Sequence, residues 1–210
     1  MSGGPRRGVV VLDYGSGNLR SAERAVARTG VDVTVTSDLS AAAEADGLVV
    51  PGVGAYAACM AGIEAIDAGP MIAARVAAGR PVLGICVGMQ ILFDAGVEHG
   101  VETKGLGLLP GVVNRLTAER IPHMGWNTVD VPAESALLAG LSDERFYFVH
   151  SYAANDLDLL HQAGARVTTA SHDRPFAAAV ELGSLSAAQF HPEKSGDAGY
   201  GLLRNWVSGL

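Results

Sequence analysis

The chain is 210 residues long, 49% hydrophobic, and carries a formal net charge of −7 with only two lysines and two cysteines. That size and apolar content suit one compact domain with a large core, while the acidic balance excludes a nucleic-acid surface and makes a poor host for a highly phosphorylated substrate. No apolar run approaches the roughly 20 residues of a membrane span, and two cysteines allow at most one disulfide, so a reduced, cytoplasmic protein is expected, with no membrane and no nucleic-acid partner.

Residues 1–8 read as a mobile tail, too short in apolar content for a secretion signal, and residues 9–210 as the single domain. Val9 to Leu12 is a β-branched run without polar alternation, as expected of a strand covered on both faces. It ends at Asp13-Tyr14-Gly15-Ser16-Gly17-Asn18, a turn that opens a helix from about Leu19 to Arg28, with Gly30 beyond its C-terminus. Gly15 and Gly17 do not make a dinucleotide fingerprint, because Arg20 stands where the third glycine is needed. Val31 to Thr36 reads as a second strand, Asp38 to Ala45 as a short helix and Gly47 to Val50 as a third strand. This alternation means βαβ units and a parallel sheet. Pro51-Gly52-Val53-Gly54 then terminates the strand, and glycines on both sides of Val53 let a peptide N–H turn towards a ligand. Ala55 to Ile66 continues as an alanine-rich helix in which Cys59 reads as packing. Gly69-Pro70 should break that helix, with Met71 to Ala78 forming another.

Pro81 to Phe93 is an apolar run that halts at Cys86 between Gly84 and Gly88 and then resumes, a strand feeding through a sharp corner into a helix. Small residues two before and two after the corner are what such a turn needs, since a Cβ there would collide with the neighbouring chain. The helix N-terminus and its free backbone N–H groups make Cys86 a better nucleophile than a free cysteine, and a small buried hydrophobe is the alternative. Asp94 to Pro110 reads as irregular and glycine-rich. Val112 to Leu116, Thr128 to Val131, Arg145 to Tyr152, Arg166 to Ala170, Phe176 to Glu181 and Ser186 to Phe190 read as strands with little helix between them. Gly183-Ser184 is placed to turn a hairpin. Gly199 to Ser208 closes the chain as a packing helix. The expected fold is therefore an α/β one, an open, mixed, mostly parallel sheet flanked by helices, with a nucleophile elbow and an antiparallel extension in the second half.

A base for the thiol stands at the end of the last strand, in Phe190-His191-Pro192-Glu193-Lys194-Ser195. Pro192 fixes the turn so that Glu193 can orient the His191 imidazole while its other nitrogen faces a thiol. Nucleophile and base from two separate strands meet in space rather than in sequence.

The G-I-C-V-G-M-Q elbow, the P-G-V-G loop and the H-P-E-K-S terminus together resemble the class I, triad-type glutamine amidotransferase family. Asp13 to Leu19, His123-Met124-Gly125-Trp126-Asn127 and Tyr147-Phe148-Val149-His150-Ser151-Tyr152 resemble its branch that serves histidine biosynthesis. At the elbow Val87 stands where leucine is usual, a change of little weight because that residue acts through its backbone N–H. The resemblance implies a glutaminase that needs no cofactor and no metal, in which Cys86 attacks the glutamine side-chain amide, His191 moves the protons and Glu193 holds the imidazole. It implies an oxyanion hole from the Val87 N–H and from Val53 or Gly54, with Gly52, Gln90, Ser151 and Tyr152 holding the amino-acid end of glutamine. It also implies a heterodimer with a cyclase of (β/α)8-barrel form that consumes the ammonia, and His123, Trp126, Tyr147 and Lys194 as interface residues. A free-standing cysteine hydrolase would share the triad but work without a partner. A non-catalytic module of the same fold would not need it.

Overall fold

Val9 to Leu12, Leu48 to Val50 and Val82 to Ile85 are buried throughout, because each lies inside a parallel sheet with chain on both faces. The structure is a computed structural model and describes residues 7–210. Most of the expected tail, residues 1–6, lies outside the described residues. Gly8 does not belong to a tail: it opens β1 (Gly8–Leu12) and pairs with Asp32.

The main sheet has seven strands. In spatial order they are β11 (Arg166–His172), β12 (Arg174–Leu182), β13 (Leu185–Ala188), β4 (Val82–Cys86), β3 (Gly47–Gly52), β1 and β2 (Asp32–Thr36). The strands from β13 to β2 are parallel, and β11 and β12 add the antiparallel extension, turned at Gly183-Ser184. Helix α1 (Leu19–Ala27) packs against α7 (Gly196–Ser208), and α2 (Leu39–Glu44) against α4 (Ala68–Ala77), which also meets α3 (Tyr56–Ala65). Asp38 caps α2, its carboxylate accepting from the Ser40 and Ala41 N–H groups at 2.8 and 3.2 Å. The buried Arg75 guanidinium satisfies the carbonyls at the other end, those of Ala42, Ala43 and Ala45, at 2.9 Å each.

Several elements differ from the sequence reading. The break between α3 and α4 falls at Ile66-Asp67, not at Gly69-Pro70, and the two helices meet at 90°. Pro70 sits in the first turn of α4, where a missing N–H costs no hydrogen bond. No single helix among the described residues is long and apolar enough to cross a membrane. The helix after Cys86, α5 (Val87–Gln90), has only four residues. The segment read as irregular instead holds β5 (Phe93–Glu98), β6 (Val101–Lys104) and the start of β7 (Leu109–Arg115), which with β10 (Tyr152–Ala154) form a second sheet. The strand expected at Thr128 to Val131 lies earlier, as β8 (His123–Thr128), and pairs with β9 (Arg145–His150) in a separate hairpin. A further helix, α6 (Leu157–Gln162), was not expected.

Candidate active site

Three neighbouring strands end at one level. In the ladders Gly52 on β3 stands opposite Cys86 on β4, and Ala188 on β13 opposite Ile85, so the chain beyond β13 runs past the thiol. Cys86 occupies the corner at φ +56, ψ −115, a conformation rare for a residue with a side chain and characteristic of nucleophile elbows. The glycines around it leave no room for substitution. A Cβ on Gly88 would stand 1.9 Å from the Val50 oxygen, one on Gly84 2.8 Å from the Gly88 oxygen, and one on Gly52 2.3 Å from the Gly88 nitrogen. The loop, the strand and the elbow are thus in backbone contact, which is how the sequence brings P-G-V-G beside the thiol.

His191 follows β13 in extended backbone, and the 3-10 turn Pro192–Lys194 brings Glu193 back beneath it. The His191 Nδ1 lies 2.7 Å from Glu193 Oε1, with the two side chains only 3% and 5% exposed. Among the described residues Glu193 Oε2 has no hydrogen-bond partner. Burial disfavours the imidazolium, but hydrogen-bonding and charge from Cys86 and Glu193 outweigh it, and His191 is pushed up to about 9. The turn is held from the side: the His191 N–H donates to the Tyr147 carbonyl at 3.0 Å, and Ser195 Oγ donates to the His191 carbonyl at 2.7 Å while accepting the Tyr147 N–H at 3.0 Å.

Cys86 and His191 open onto a cavity of about 260 Å³ lined also by Val53, Gly54, Val87, Gln90, Ser151, Tyr152 and Lys194. Most of the sequence-predicted residues are therefore brought together. Gly52 is not on that wall; it lies behind Cys86, packed on the Gly88 backbone. Val87 is the first residue of α5, so its N–H has no intrahelical partner. The Gln90 amide nitrogen donates to the Tyr152 carbonyl and to Gln189 Oε1, each at 2.9 Å, and so ties the helix to the segment Ser151-Tyr152.

Glu98 on the cavity wall and Gln189 beside the thiol escaped the sequence reading. Glu98, the one carboxylate among the described lining residues, sits in the stretch read as irregular, and its Oε2 accepts the Tyr56 N–H at 2.9 Å. Gln189 reaches the Cys86 sulfur with its amide nitrogen at 3.8 Å. The signal for Gln189 was its place two residues before His191, on the same side of an extended chain. Glu98 carried no local signal. Cys59 is buried as expected, but its thiol also donates to the Val53 carbonyl.

The expected interface residues divide. In the β8–β9 hairpin, Met124 faces Val149 and Trp126 faces Tyr147, with ring centroids of that pair 6.1 Å apart. Met124 is 63% and Trp126 49% exposed, so this is an apolar outer face beside the cavity wall formed by Val149 and Ser151. Lys194 is exposed at the rim. His123 is a correction, because it lies on the inner face of the hairpin, buried, with its Nδ1 2.9 Å from His150 Nε2 and its Nε2 3.2 Å from the Asn127 amide. His150 Nδ1 faces the Tyr152 carbonyl at 2.9 Å. Burial, reinforced by neighbouring histidines, pushes His123 down to about 4 and His150 down to about 3. Among the described residues no group of three or more His, Cys, Asp or Glu side chains is arranged to hold a metal ion.

A family model described as glutamine amidotransferase class-I matches residues 10–208. The chain is 63% identical over 98% of its length to a Nocardia farcinica protein named imidazole glycerol phosphate synthase subunit HisH, covering 99% of that protein. It is 64% identical to the Mycobacterium bovis protein of the same name, over 97% of this chain and 98% of that one. Among solved structures, a glutamine amidotransferase crystal structure superposes with a TM-score of 0.74 at 21% identity, covering 96% of this chain and 99% of that one. A structure of PurLQS from Thermotoga maritima superposes with a TM-score of 0.69 at 18% identity, covering 97% of this chain and 99% of that one. Likeness at that level of identity speaks for the fold alone.

Proposed function

Since the chain belongs to the class-I glutamine amidotransferase family, we propose that it is the glutaminase subunit of an imidazole glycerol phosphate synthase, hydrolysing glutamine to glutamate and ammonia for histidine biosynthesis. The observation that carries the mechanism is the convergence of Cys86 and His191 on one cavity, with Glu193 2.7 Å behind the imidazole. The Cys86 sulfur attacks the side-chain amide carbon. The C=O electrons move onto oxygen, and the Val87 N–H with an N–H from Val53 or Gly54 stabilises that charge. His191 protonates the departing nitrogen as the C–N bond breaks, leaving a thioester and releasing ammonia. It then takes a proton from water, which attacks the thioester carbon and expels the Cys86 thiolate with glutamate. Glu193 keeps the imidazole oriented through both halves.

Substrate recognition follows from the polarity of the wall. Glutamine is a zwitterion at its far end, and Glu98 offers the one carboxylate on the described wall to the α-ammonium. The α-carboxylate is left to Ser151 and Tyr152, whose segment Gln90 holds in place.

Membership of a synthase implies a partner subunit. We propose that this partner is a (β/α)8-barrel cyclase that consumes the ammonia in a heterodimer, docking on the rim marked by Met124, Trp126, Tyr147 and Lys194. Free ammonia is protonated and lost to solvent at neutral pH, so direct delivery favours a partner seated over the cavity. Cys86→Ala is the test: it should abolish glutamine-dependent synthesis while leaving the partner's reaction with added ammonium salts intact. Loss of both activities would refute the division of labour, and a lone chain that turns over at the rate of the complex would favour the free-standing hydrolase.

A further inference from the structure

Gln189 is an amide in a place that packing alone would fill with a hydrocarbon. It is 1% exposed, it follows directly on β13, and its backbone N–H donates to the Ala178 carbonyl of β12 at 2.8 Å. Burying a side-chain amide costs free energy unless its polar atoms are bonded, so both of its side-chain contacts need a reason. Oε1 accepts from Gln90, which ties the residue to the elbow helix. Nε2 ends on the Cys86 sulfur at 3.8 Å.

The direction of this amide is forced from outside. The Tyr152 carbonyl can only accept, so Gln90 must present its nitrogen there. The second proton of that nitrogen goes to Gln189, which must meet it with oxygen. Gln189 Nε2 is thereby turned to the sulfur. A flipped amide would set two NH2 groups against each other and an oxygen against the sulfur, losing both bonds.

Sulfur is a weak acceptor as a thiol and carries a full charge as a thiolate, so a fixed N–H beside it favours the thiolate. The helix behind the thiol, α5, has only four residues and few aligned peptides to contribute to the same end. His191 also bonds Cys86, but the proton on its inner nitrogen leaves with the ammonia, whereas an amide keeps its own.

We infer that Gln189 is a further catalytic residue, a neutral donor to the Cys86 sulfur that stabilises the thiolate before it attacks the glutamine amide and again when it is expelled from the thioester. Gln90 is its positioning residue. The inference rests on the glutaminase reading above. Since the N–H is never transferred, Gln189 serves both half-reactions alike.

The test is Gln189→Met, which keeps the length of the side chain and removes the donor. A hydrogen bond to a charged group corresponds to about ten-fold or more, so the stimulated kcat of the complex with its partner and the partner's ligand should fall about ten-fold, with KM for glutamine within about two-fold. In the full chain alone, the pH at which iodoacetamide alkylates Cys86 at half its maximal rate should rise by about one unit, followed by mass spectrometry of the Cys86 peptide so that Cys59 does not contribute. A wild-type kcat with a wild-type alkylation profile overturns the inference. A raised KM with an unmoved alkylation profile overturns it too, because Gln189 would then serve only to hold Gln90 on the cavity wall. A second measurement needs no Gln189 variant: the side-chain amide protons of Gln189 should shift with pH as Cys86 ionises, and this response should vanish in Cys86→Ala. Amide resonances that behave alike in the two proteins refute the contact. If the wild-type complex hydrolyses no glutamine, the glutaminase reading falls, and the alkylation profile and the amide resonances still decide whether Gln189 stabilises the thiolate.

Discussion

Glu193→Gln keeps the shape of the side chain and removes its charge. The bond at stake is 2.7 Å long and sealed, with 3% and 5% of the two side chains exposed. Its donor is the Nδ1 of a ring that becomes imidazolium during each half-reaction. A hydrogen bond to a charged group is worth about 1.5–3 kcal/mol, so losing the charged acceptor should lower the stimulated kcat about ten- to 150-fold with little change in KM. The glutamine oxygen can still accept from Nδ1, and its amide nitrogen would occupy the place of Oε2, which has no partner among the described residues. Part of the stability that the raised His191 contributes goes with the carboxylate, so the denaturant midpoint at about pH 7 should also fall, and the kinetic loss is read on the folded complex. His191 stands at about 9 partly because of this carboxylate, so the limb of the pH–rate profile that reports it should move to lower pH in the variant. Steady-state kinetics of the complex between about pH 6 and pH 10 would read both effects. A kcat within about three-fold of wild type, with the limb unmoved, would refute the assignment of Glu193 as the group that orients and charges the base.

Gly88→Ala should destabilise the fold by at least about 3 kcal/mol in urea unfolding, because its Cβ would meet the Val50 carbonyl at 1.9 Å and a strand backbone cannot swing aside as a side chain does; a smaller loss would mean that the elbow is more compliant than its contacts imply. Stability should also decline at both ends of the pH range. His123 and His150, pushed down to about 4 and about 3, leave the unfolded chain binding more protons as pH falls below about 6.5, so stability drops there, whereas His191, pushed up to about 9, contributes stability that is present below about 6.5 and lost as pH rises through 9. Denaturant midpoints at about pH 4.5, 7 and 9.5 check this, and a flat profile contradicts it. Met124→Asp with Trp126→Ala should weaken partner binding more than about ten-fold in calorimetry at an unchanged melting temperature; unchanged affinity would move the interface off the hairpin.

What the sequence made legible was the part encoded locally. Val9 to Leu12, Gly47 to Val50 and Val82 to Ile85 are apolar without alternation, and only a strand buried on both faces requires that. The spacing of Gly84 and Gly88 about Cys86 announces the elbow because the steric demand falls on nearest turns. The rest depended on partners far along the chain. Asp94 to Pro110 reads as irregular because its glycines lower strand propensity, and Gly96 and Gly105 are there to let Tyr56 lie against them. His123 to Thr128 mixes polar and apolar residues in a hairpin whose inner face is lined by histidine and asparagine, so the pattern pointed to the wrong residues. Glu98, brought to the cavity by a sheet that was not expected, is a contact no spacing could reveal.

The row of rings behind Ser151-Tyr152 has a direction. The Tyr152 carbonyl has no proton to give, so the His150 Nδ1 that faces it carries one. A neutral imidazole holds a single proton, which leaves His150 Nε2 bare and obliges His123 Nδ1 to supply the hydrogen between them. His123 Nε2 is bare in turn, and the Asn127 amide nitrogen must point towards it. One carbonyl thus dictates the tautomer of two rings and the rotamer of an amide, and the same carbonyl accepts from Gln90 on the cavity wall. Nitrogen resonances should accordingly show protonated Nδ1 and lone-pair Nε2 in both rings from neutral pH to below about 5, with the dipoles of the hairpin interior all running one way, towards the wall of the cavity onto which Cys86 opens.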